Sequence, residues 1–195
     1  MTADVWLKGR RVDLAEITKR EHVIETYELH HDGANLWNVR VPVTQSFDQF
    51  AATFQQGILR DFMLKEAGSE RLIGYVWSYN YAPDNGTCYV GMIVRPDVIG
   101  TVAWYLEGLA LFLDFLFANW PLRKVWFEAL EHSAEQFQHG LARVGTHEGR
   151  LREVAWYGDR YEDMLYWSIT RQQWQESPLS RGRTFDRRRR ADATQ

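Results

Sequence analysis

The sequence predicts a single α+β domain, on three observations. Strand-like and helix-like runs follow one another in the order β-α-α-β-β-β-α-β-α-β-β, with no internal repeat or linker. A chain of 195 residues is long enough for one full hydrophobic core and short for two. The composition, 45% hydrophobic and 25% charged, is that of a globular chain rather than a disordered one.

The opening strand is read from Leu7-Lys8-Gly9-Arg10-Arg11-Val12-Asp13-Leu14, which alternates and carries an early glycine. Residues 18–29 place Val23, Ile24 and Tyr27 at helical spacing, with Thr18 as the expected cap. Ser46 precedes Phe47, Phe50, Ala51 and Phe54, a helical run extending to about Leu59. Three strand-like runs come next. Residues 61–65 end at Ala67-Gly68-Ser69, and residues 71–81 end at Pro83-Asp84-Asn85-Gly86, where Asn-Gly favours a hairpin. Residues 87–94 are stopped by Pro96, which has no N–H for a ladder hydrogen bond. Residues 106–119 form the most apolar segment, helical by length, with Glu107 and Asp114 on its one polar stripe. A buried strand over 124–130, a short helix over 134–144 and strands over 146–154 and 163–170 complete the domain, which spans residues 5–174. Residues 175–195 lose periodicity, include Arg187-Arg188-Arg189-Arg190 and read as a disordered basic tail.

Composition narrows the function classes. Cys88 is the single cysteine, which excludes an intramolecular disulfide and suits a reducing compartment. Its strand-like setting reads as a buried, inert thiol. The apolar stretch 106–120 is too short to span a bilayer and holds Glu107 and Asp114, so no membrane partner is expected. Met1-Thr2-Ala3-Asp4 opens without a basic segment and apolar run, and a cytoplasmic location is the expectation. Six arginines against three acids from Gln175 onward make a net +3, leaving −6 of the total −3 on the residues before it. An acidic body argues against a nucleic-acid-binding domain. Nine Trp, nine Tyr and ten Phe supply either bulky core packing or an aromatic-walled cleft.

Three motifs near the C-terminus go further. Glu148-Gly149-Arg150-Leu151-Arg152 forms an EG-x-L-R strand, Gly158-Asp159-Arg160-Tyr161-Glu162-Asp163 a turn, and Arg171-Gln172-Gln173-Trp174 an R-x-x-W ending. Together they resemble the C-terminus of the GNAT acyltransferase superfamily, and more narrowly its ribosomal-protein N-terminal acetyltransferase branch. The run from Val94 through Phe117 into Leu122-Arg123-Lys124-Val125 is similar to the same superfamily. The resemblance implies a central mixed, mostly antiparallel sheet flanked by helices, with splayed central strands. It also implies acetyl-CoA as co-substrate and direct acyl transfer to a primary amine, on a small molecule or a peptide N-terminus, with a homodimer left open. A GNAT-fold protein that binds CoA or another ligand without efficient catalysis is the alternative.

The superfamily holds the cofactor's pyrophosphate on backbone amides at a helix start, in a Q/R-x-x-G-x-G/A loop. Unpaired amides and the helix dipole there favour an anion. Arg95-Pro96-Asp97-Val98-Ile99-Gly100 fits if Val98 stands for the first glycine. In the other register Val94-x-Pro96 precedes the loop and Val102 stands for a glycine in Gly100-Thr101-Val102-Ala103. The cofactor residues so implied are Ile93, Val94, Ile99, Gly100, Thr101, Val102 and Ala103. Gly91 is compatible with the strand bulge that splays the family's central strands, or with room for a neighbouring aromatic.

Acyl transfer needs a neutral amine, a donor for the oxyanion and a proton for the leaving thiolate. Glu128 on the strand 124–130 is the candidate base, its alternative a salt bridge to an arginine of a neighbouring strand. Ser133 stands where the branch carries N-x-x-S without its Asn, as hydroxyl donor or as the start of a Ser133–Gln136 capping box. His132 is a further candidate for proton transfer as a histidine, its alternative a solvent-facing loop residue. The acceptor cleft is expected to draw on Trp37, Tyr79 and Tyr81, with Phe47 and Phe50 beside them.

Overall fold

The computed structural model of the chain describes residues 5–32, 45–98, 102–134 and 138–180. The strands are β1 (Val5–Leu7), β2 (Val12–Ala15), β3 (Ile58–Glu66), β4 (Leu72–Ala82), β5 (Thr87–Val94), β6 (Lys124–Leu130), β7 (Thr146–Tyr157) and β8 (Arg160–Thr170). The helices are α1 (Arg20–His31), α2 (Phe47–Thr53), α3 (Val102–Asn119), α4 (Glu131–Ala134), α5 (Gln138–Val144) and α6 (Arg171–Glu176). All the strands join one eight-stranded sheet, in the order β1-β2-β3-β4-β5-β6-β8-β7. Every neighbouring pair is antiparallel except β5 and β6, so the sheet is mixed as expected.

Strand alternation gives the sheet two faces. Val12, Leu14, Phe62, Leu64, Val76 and Val125 point to one of them and pack on Phe112 and Leu116 of α3. Ala15, Met63, Tyr75 and Ile93 point to the other and form a smaller core with Leu29 of α1. The helix α3 is apolar almost all round, the pattern of a helix buried on most sides. Its two acids do not make a solvent-facing stripe. Both are buried and both accept hydrogen bonds from other elements: Glu107 accepts from the backbone N–H groups of Arg10 and Arg11, and Asp114 accepts from the Trp174 indole at 2.7 Å.

Those Glu107 contacts explain why residues 7–14 are two strands and not one. The chain turns at Gly9, whose N–H donates to Asp13 Oδ1 at 3.1 Å, and a Cβ there would lie 2.7 Å from Glu107 Oε1. At α1 the cap is Lys19, with no side-chain bond; Thr18 instead gives its backbone N–H to His22 Nδ1 at 3.2 Å. Ser46 does cap α2, in a reciprocal box with Gln49, and the helix stops at Thr53, short of Leu59. The turn at Asn85-Gly86 closes the β4–β5 hairpin, with Gly86 in the left-handed region at φ 59°.

The C-terminal motifs turn out to be fastenings. Arg150 of EG-x-L-R binds Asp163 of the turn motif and Glu131 of α4, which ties β7, β8 and α4 together. Glu148 accepts from Lys124 of β6 and Ser168 of β8, each at 2.5 Å. Arg171 donates to the carbonyls of Phe117, Trp120 and Leu122 at 2.6, 2.8 and 2.7 Å, capping the C-terminal end of α3. The helix α6 carries the chain through residue 175 to Glu176, and Ser177 is buried beyond it, so the expected domain end at 174 falls inside a helix. Residues 181–195, which include the arginine run, lie outside the described residues.

Candidate functional site

The parallel pair β5 and β6 is held by three residue pairs, Thr87–Lys124, Cys88–Val125 and Tyr89–Trp126. Beyond Tyr89, β5 continues to Val94 against β4, while β6 continues to Leu130 against β8. The two strands therefore part, leaving a fork whose sides are extended backbone. This is the splay that the resemblance implies. Its origin is not a bulge at Gly91, since β4 and β5 stay in register from Gly74–Val94 to Tyr79–Tyr89. Gly91 is there to admit an aromatic: a Cβ would lie 2.4 Å from Cζ2 of Trp77.

On the α1 side of the sheet, aromatic rings run across the strands towards the fork. Tyr75, Trp77 and Tyr79 alternate along β4, and Tyr89 and Trp126 continue the row on β5 and β6. Successive ring centroids are 5.1, 6.5, 5.6 and 6.2 Å apart. Such spacings suit offset and tilted aromatic contact. At the edge of the fork stands Glu128, half-buried, accepting a hydrogen bond from the Tyr79 hydroxyl at 2.9 Å. Directly across on β8 is Tyr166 rather than an arginine. A carboxylate, a phenol and a wall of ring faces meet where the strands separate, an arrangement able to hold a cationic amine and take a proton from it.

The other expected residues fall variously around this point. Tyr81 does not join the row, because β4 has one extra residue between Tyr79 and Ala82, with Asn80 at φ 49°, and Tyr81 packs on the α3-side core. Phe50 is 1% exposed, a core residue beneath α1 and α2; Phe47 is half-buried and packs edge-on against Tyr27 at 5.6 Å. Ile93 is buried in the α1-side core and Val94 is half-buried on the α3 side. Ala103 is exposed in the first turn of α3, which Val102 opens. Trp37, Ile99, Gly100 and Thr101 lie outside the described residues. Beside that loop, Asp97 binds Arg71 at 2.8 Å and Arg95 at 3.1 Å, and the hydrogen bonds from both hold its carboxyl below the usual range.

Ser133 is not the start of a helix. It sits inside the single turn of α4 and its hydroxyl donates to the Leu130 carbonyl at 3.0 Å. His132 is not solvent-facing. Its Nδ1 lies 2.5 Å from Glu162 Oε2, and its ring stacks on Tyr157 with centroids 3.8 Å apart. Glu162 is buried, which pushes its carboxyl up, but hydrogen bonds from His132 and Arg160 outweigh this and hold it below the usual range. Glu131, His132, Arg160, Tyr161, Glu162 and Asp163 line a concavity of about 480 Å³. Cys88 is fully buried and burial pushes its thiol up to about 12, the inert thiol expected.

Among the described residues no group of His, Cys, Asp and Glu could hold a metal ion, and no helix is long and apolar enough to cross a membrane. No protein-family model matches the chain, and no curated protein matches it in sequence. Solved structures do match in fold. The spermidine N-acetyltransferase of Vibrio cholerae, solved in complex with CoA and spermine, superposes with a TM-score of 0.74 at 17% identity, covering 86% of this chain and 99% of that one. A GCN5-related N-acetyltransferase from Brucella melitensis gives a TM-score of 0.67 at 16% identity over 89% of this chain and 81% of its own. A GNAT-family acetyltransferase from Bacillus anthracis gives 0.68 at 14% identity over 85% and 98%. The chain has the GNAT fold.

Proposed function

We propose that this chain, built on the GNAT fold, is an acetyl-CoA-dependent N-acyltransferase, in the first instance an N-acetyltransferase, acting on a primary amine by direct transfer. The observation that carries the proposal is the fork between β5 and β6 with the Tyr79–Glu128 pair at its edge. An extended chain with amide groups can add to strand backbone as a further strand, and the pantetheine arm of CoA is such a chain. Residues 91–94 of β5 would hold it. Gly100, Thr101 and the first amides of α3 would hold the pyrophosphate, where unpaired N–H groups and the helix dipole favour an anion. Bound acetyl-CoA supplies an activated thioester carbonyl. Glu128 takes a proton from the amine, Tyr79 holds the carboxylate in place, and Tyr79, Tyr89 and Trp126 present ring faces to the cationic form of the acceptor.

Two acceptor classes are worth testing first. An amine-bearing small molecule follows from the Vibrio cholerae neighbour, which binds spermine, and a peptide N-terminus follows from the ribosomal-protein branch that the C-terminal motifs resemble. Release of free CoA from acetyl-CoA should be measured against a panel containing both. Glu128→Gln is expected to lower kcat by about a hundredfold or more, the usual contribution of a positioned base. Gly100→Asp sets a carboxylate where the phosphates would lie and is expected to weaken acetyl-CoA binding at least about tenfold, or about 1.4 kcal/mol, in a calorimetric titration. Full affinity in that variant would remove the cofactor from this loop.

One observation favours the alternative of a CoA-binding protein without efficient catalysis. The Ser133 hydroxyl gives its proton to the Leu130 carbonyl, so it is not aimed at a leaving thiolate. A protein that binds CoA calorimetrically yet releases none with any amine of the panel would fit that second reading.

A further inference from the structure

The acyl transfer proposed above leaves open the size of the group transferred. In a fork between two strands, carbon added beyond an acetyl methyl has three ways to go: deeper between the strands, or out through either face of the sheet. Two of these are closed. The strands are already joined at Tyr89–Trp126, which ends the fork. On the α3 side Val90 and Phe127 flank it, 3% and 6% exposed, and both are packed in the core beneath that helix. The α1 side remains, where Glu128 and the row of rings also lie.

We propose that Trp77 roofs the closed end of the fork on that side and is the residue that limits the acyl group to acetyl. The inference rests on the acyl transfer proposed above. Trp77 pairs with Gly91, two residues beyond the last pair that holds β5 to β6. A Cβ at residue 91 would lie within 3.0 Å of Cζ2, Cε2 and Cη2 of the indole. The six-membered ring has therefore crossed from β4 to stand over β5, and only a glycine beneath it allows this. Backbone direction agrees with the placement. Arg95 donates its N–H to Ile73 of β4, and the register between β4 and β5 is unbroken from Gly74–Val94 to Tyr79–Tyr89. By alternation Gly91 and Ile93 turn their amides towards β4, while Val90 and Met92 turn theirs into the fork. An arm added there as a strand lies about 4.8 Å from β5, beside the indole edge on the α1 side.

A roof selects by size only if it stays in place. Tyr75 stacks on Trp77 at 5.1 Å and 18°, and the His30 ring lies 5.9 Å away. Tyr75 is itself anchored, since its hydroxyl donates to Asp61 at 3.0 Å and Asp61 also accepts the Gln55 amide at 3.0 Å. Tyr75 and Asp61 are buried, so the stack behind the indole has no room to retreat. A propionyl or butyryl group would have to displace the ring or take the space in front of Glu128 that the amine needs.

The test is a calorimetric titration of CoA, acetyl-CoA, propionyl-CoA and butyryl-CoA, with no amine present, into the unmodified protein, Trp77→Phe and Trp77→Leu. The unmodified protein should lose at least about tenfold in affinity for each methylene added beyond acetyl, the discrimination usual in a filled apolar pocket. Trp77→Leu should bring the three acyl-CoAs to within about threefold of one another, with Trp77→Phe between. CoA has no acyl group, and its affinity should be the same in all three proteins; if Trp77→Leu does not fold, Trp77→Phe carries the comparison. Equal affinity of the unmodified protein for the three acyl-CoAs overturns the proposal, as does an unchanged series in the variants. Loss of affinity for CoA itself in the variants also overturns it, because Trp77 would then be a structural support. Where an amine is turned over, kcat/KM should follow the same series; a shift in amine preference equal for every acyl donor would make the ring a wall of the acceptor cleft instead, and overturn the roof. A protein that binds CoA yet acetylates no amine is still decided by these affinities. One that binds no CoA overturns the acyl-transfer proposal itself, and this one with it.

Discussion

A methyl group at residue 91 would sit 2.4 Å from the Trp77 indole, closer than any real contact, and the ring is hemmed in by Tyr75 on one side. Gly91→Ala should therefore push Trp77 out of place, at a cost of about 1–3 kcal/mol for an overpacked site. Denaturant unfolding of Gly91→Ala, Trp77→Leu and the double variant checks this. The double variant should be less destabilised than the sum of the singles, because the smaller side chain removes the clash. His30 makes a second prediction at this scale. It is packed among Phe50, Tyr75 and Trp77, and burial lowers it to about 4 from an ordinary 6.5. The unfolded chain thus takes up a proton near 6.5 that the folded chain refuses until about 4. Stability is full above the upper value and falls as pH drops through that window, by at most about 3 kcal/mol from this residue. His30→Phe should flatten the acid side of the stability curve measured by urea unfolding. His22, lowered by burial and then by Lys65, retains a share of the slope.

At the scale of elements, α3 is held at its far end by α6. Three carbonyls of the α3 terminus and the loop after it bind the Arg171 guanidinium, and Asp114 binds the Trp174 indole. Trp174→Ala should cost about 3–5 kcal/mol, from the lost ring and the carboxylate left behind it. Arg171→Lys should recover only part of the loss in Arg171→Ala, since one ammonium cannot reach three carbonyls in the fork geometry of a guanidinium. Thermal melts of the three variants decide both points. The R-x-x-W motif, legible in the sequence as a sign of the fold, is thus a clasp on α3. Arg150 and Asp163 play the same part between β7 and β8, so all three of the C-terminal motifs that point to the fold do so through its fastenings.

Over the whole molecule, what was legible follows the range of each signal. The strands 87–94 and 124–130 have the bounds expected, because an Asn-Gly turn, a proline stop and an unbroken apolar run act locally. The site is not local. Tyr79 and Glu128 stand 49 residues apart in sequence and meet because β5 alone lies between β4 and β6. Periodicity showed Glu107 and Asp114 sharing one side of a helix, but their partners come from residues 10, 11 and 174, which no window along the chain contains. The alternation of Tyr75, Trp77 and Tyr79 was visible, and could have marked the aromatic row; the extra residue that turns Tyr81 to the other face was not. The same packing sets where the chain can be cut. Ending it after residue 180 should leave the melting temperature nearly unchanged, whereas ending it at residue 173 removes Trp174 and should lower it by many degrees.

The clasp on α3 also orders events in time. Phe117 and Asp114 are synthesised well before Arg171 and Trp174, the hydrogen-bonded pairs being 54 and 60 residues apart. At about 5–20 residues per second, translation leaves the end of α3 without its cap for roughly 3–12 seconds. During that interval the most apolar of the described helices lacks its cap, and Asp114 lacks the Trp174 indole. A nascent chain halted before residue 171 should therefore recruit chaperones, and one halted late enough to expose α6 should release them.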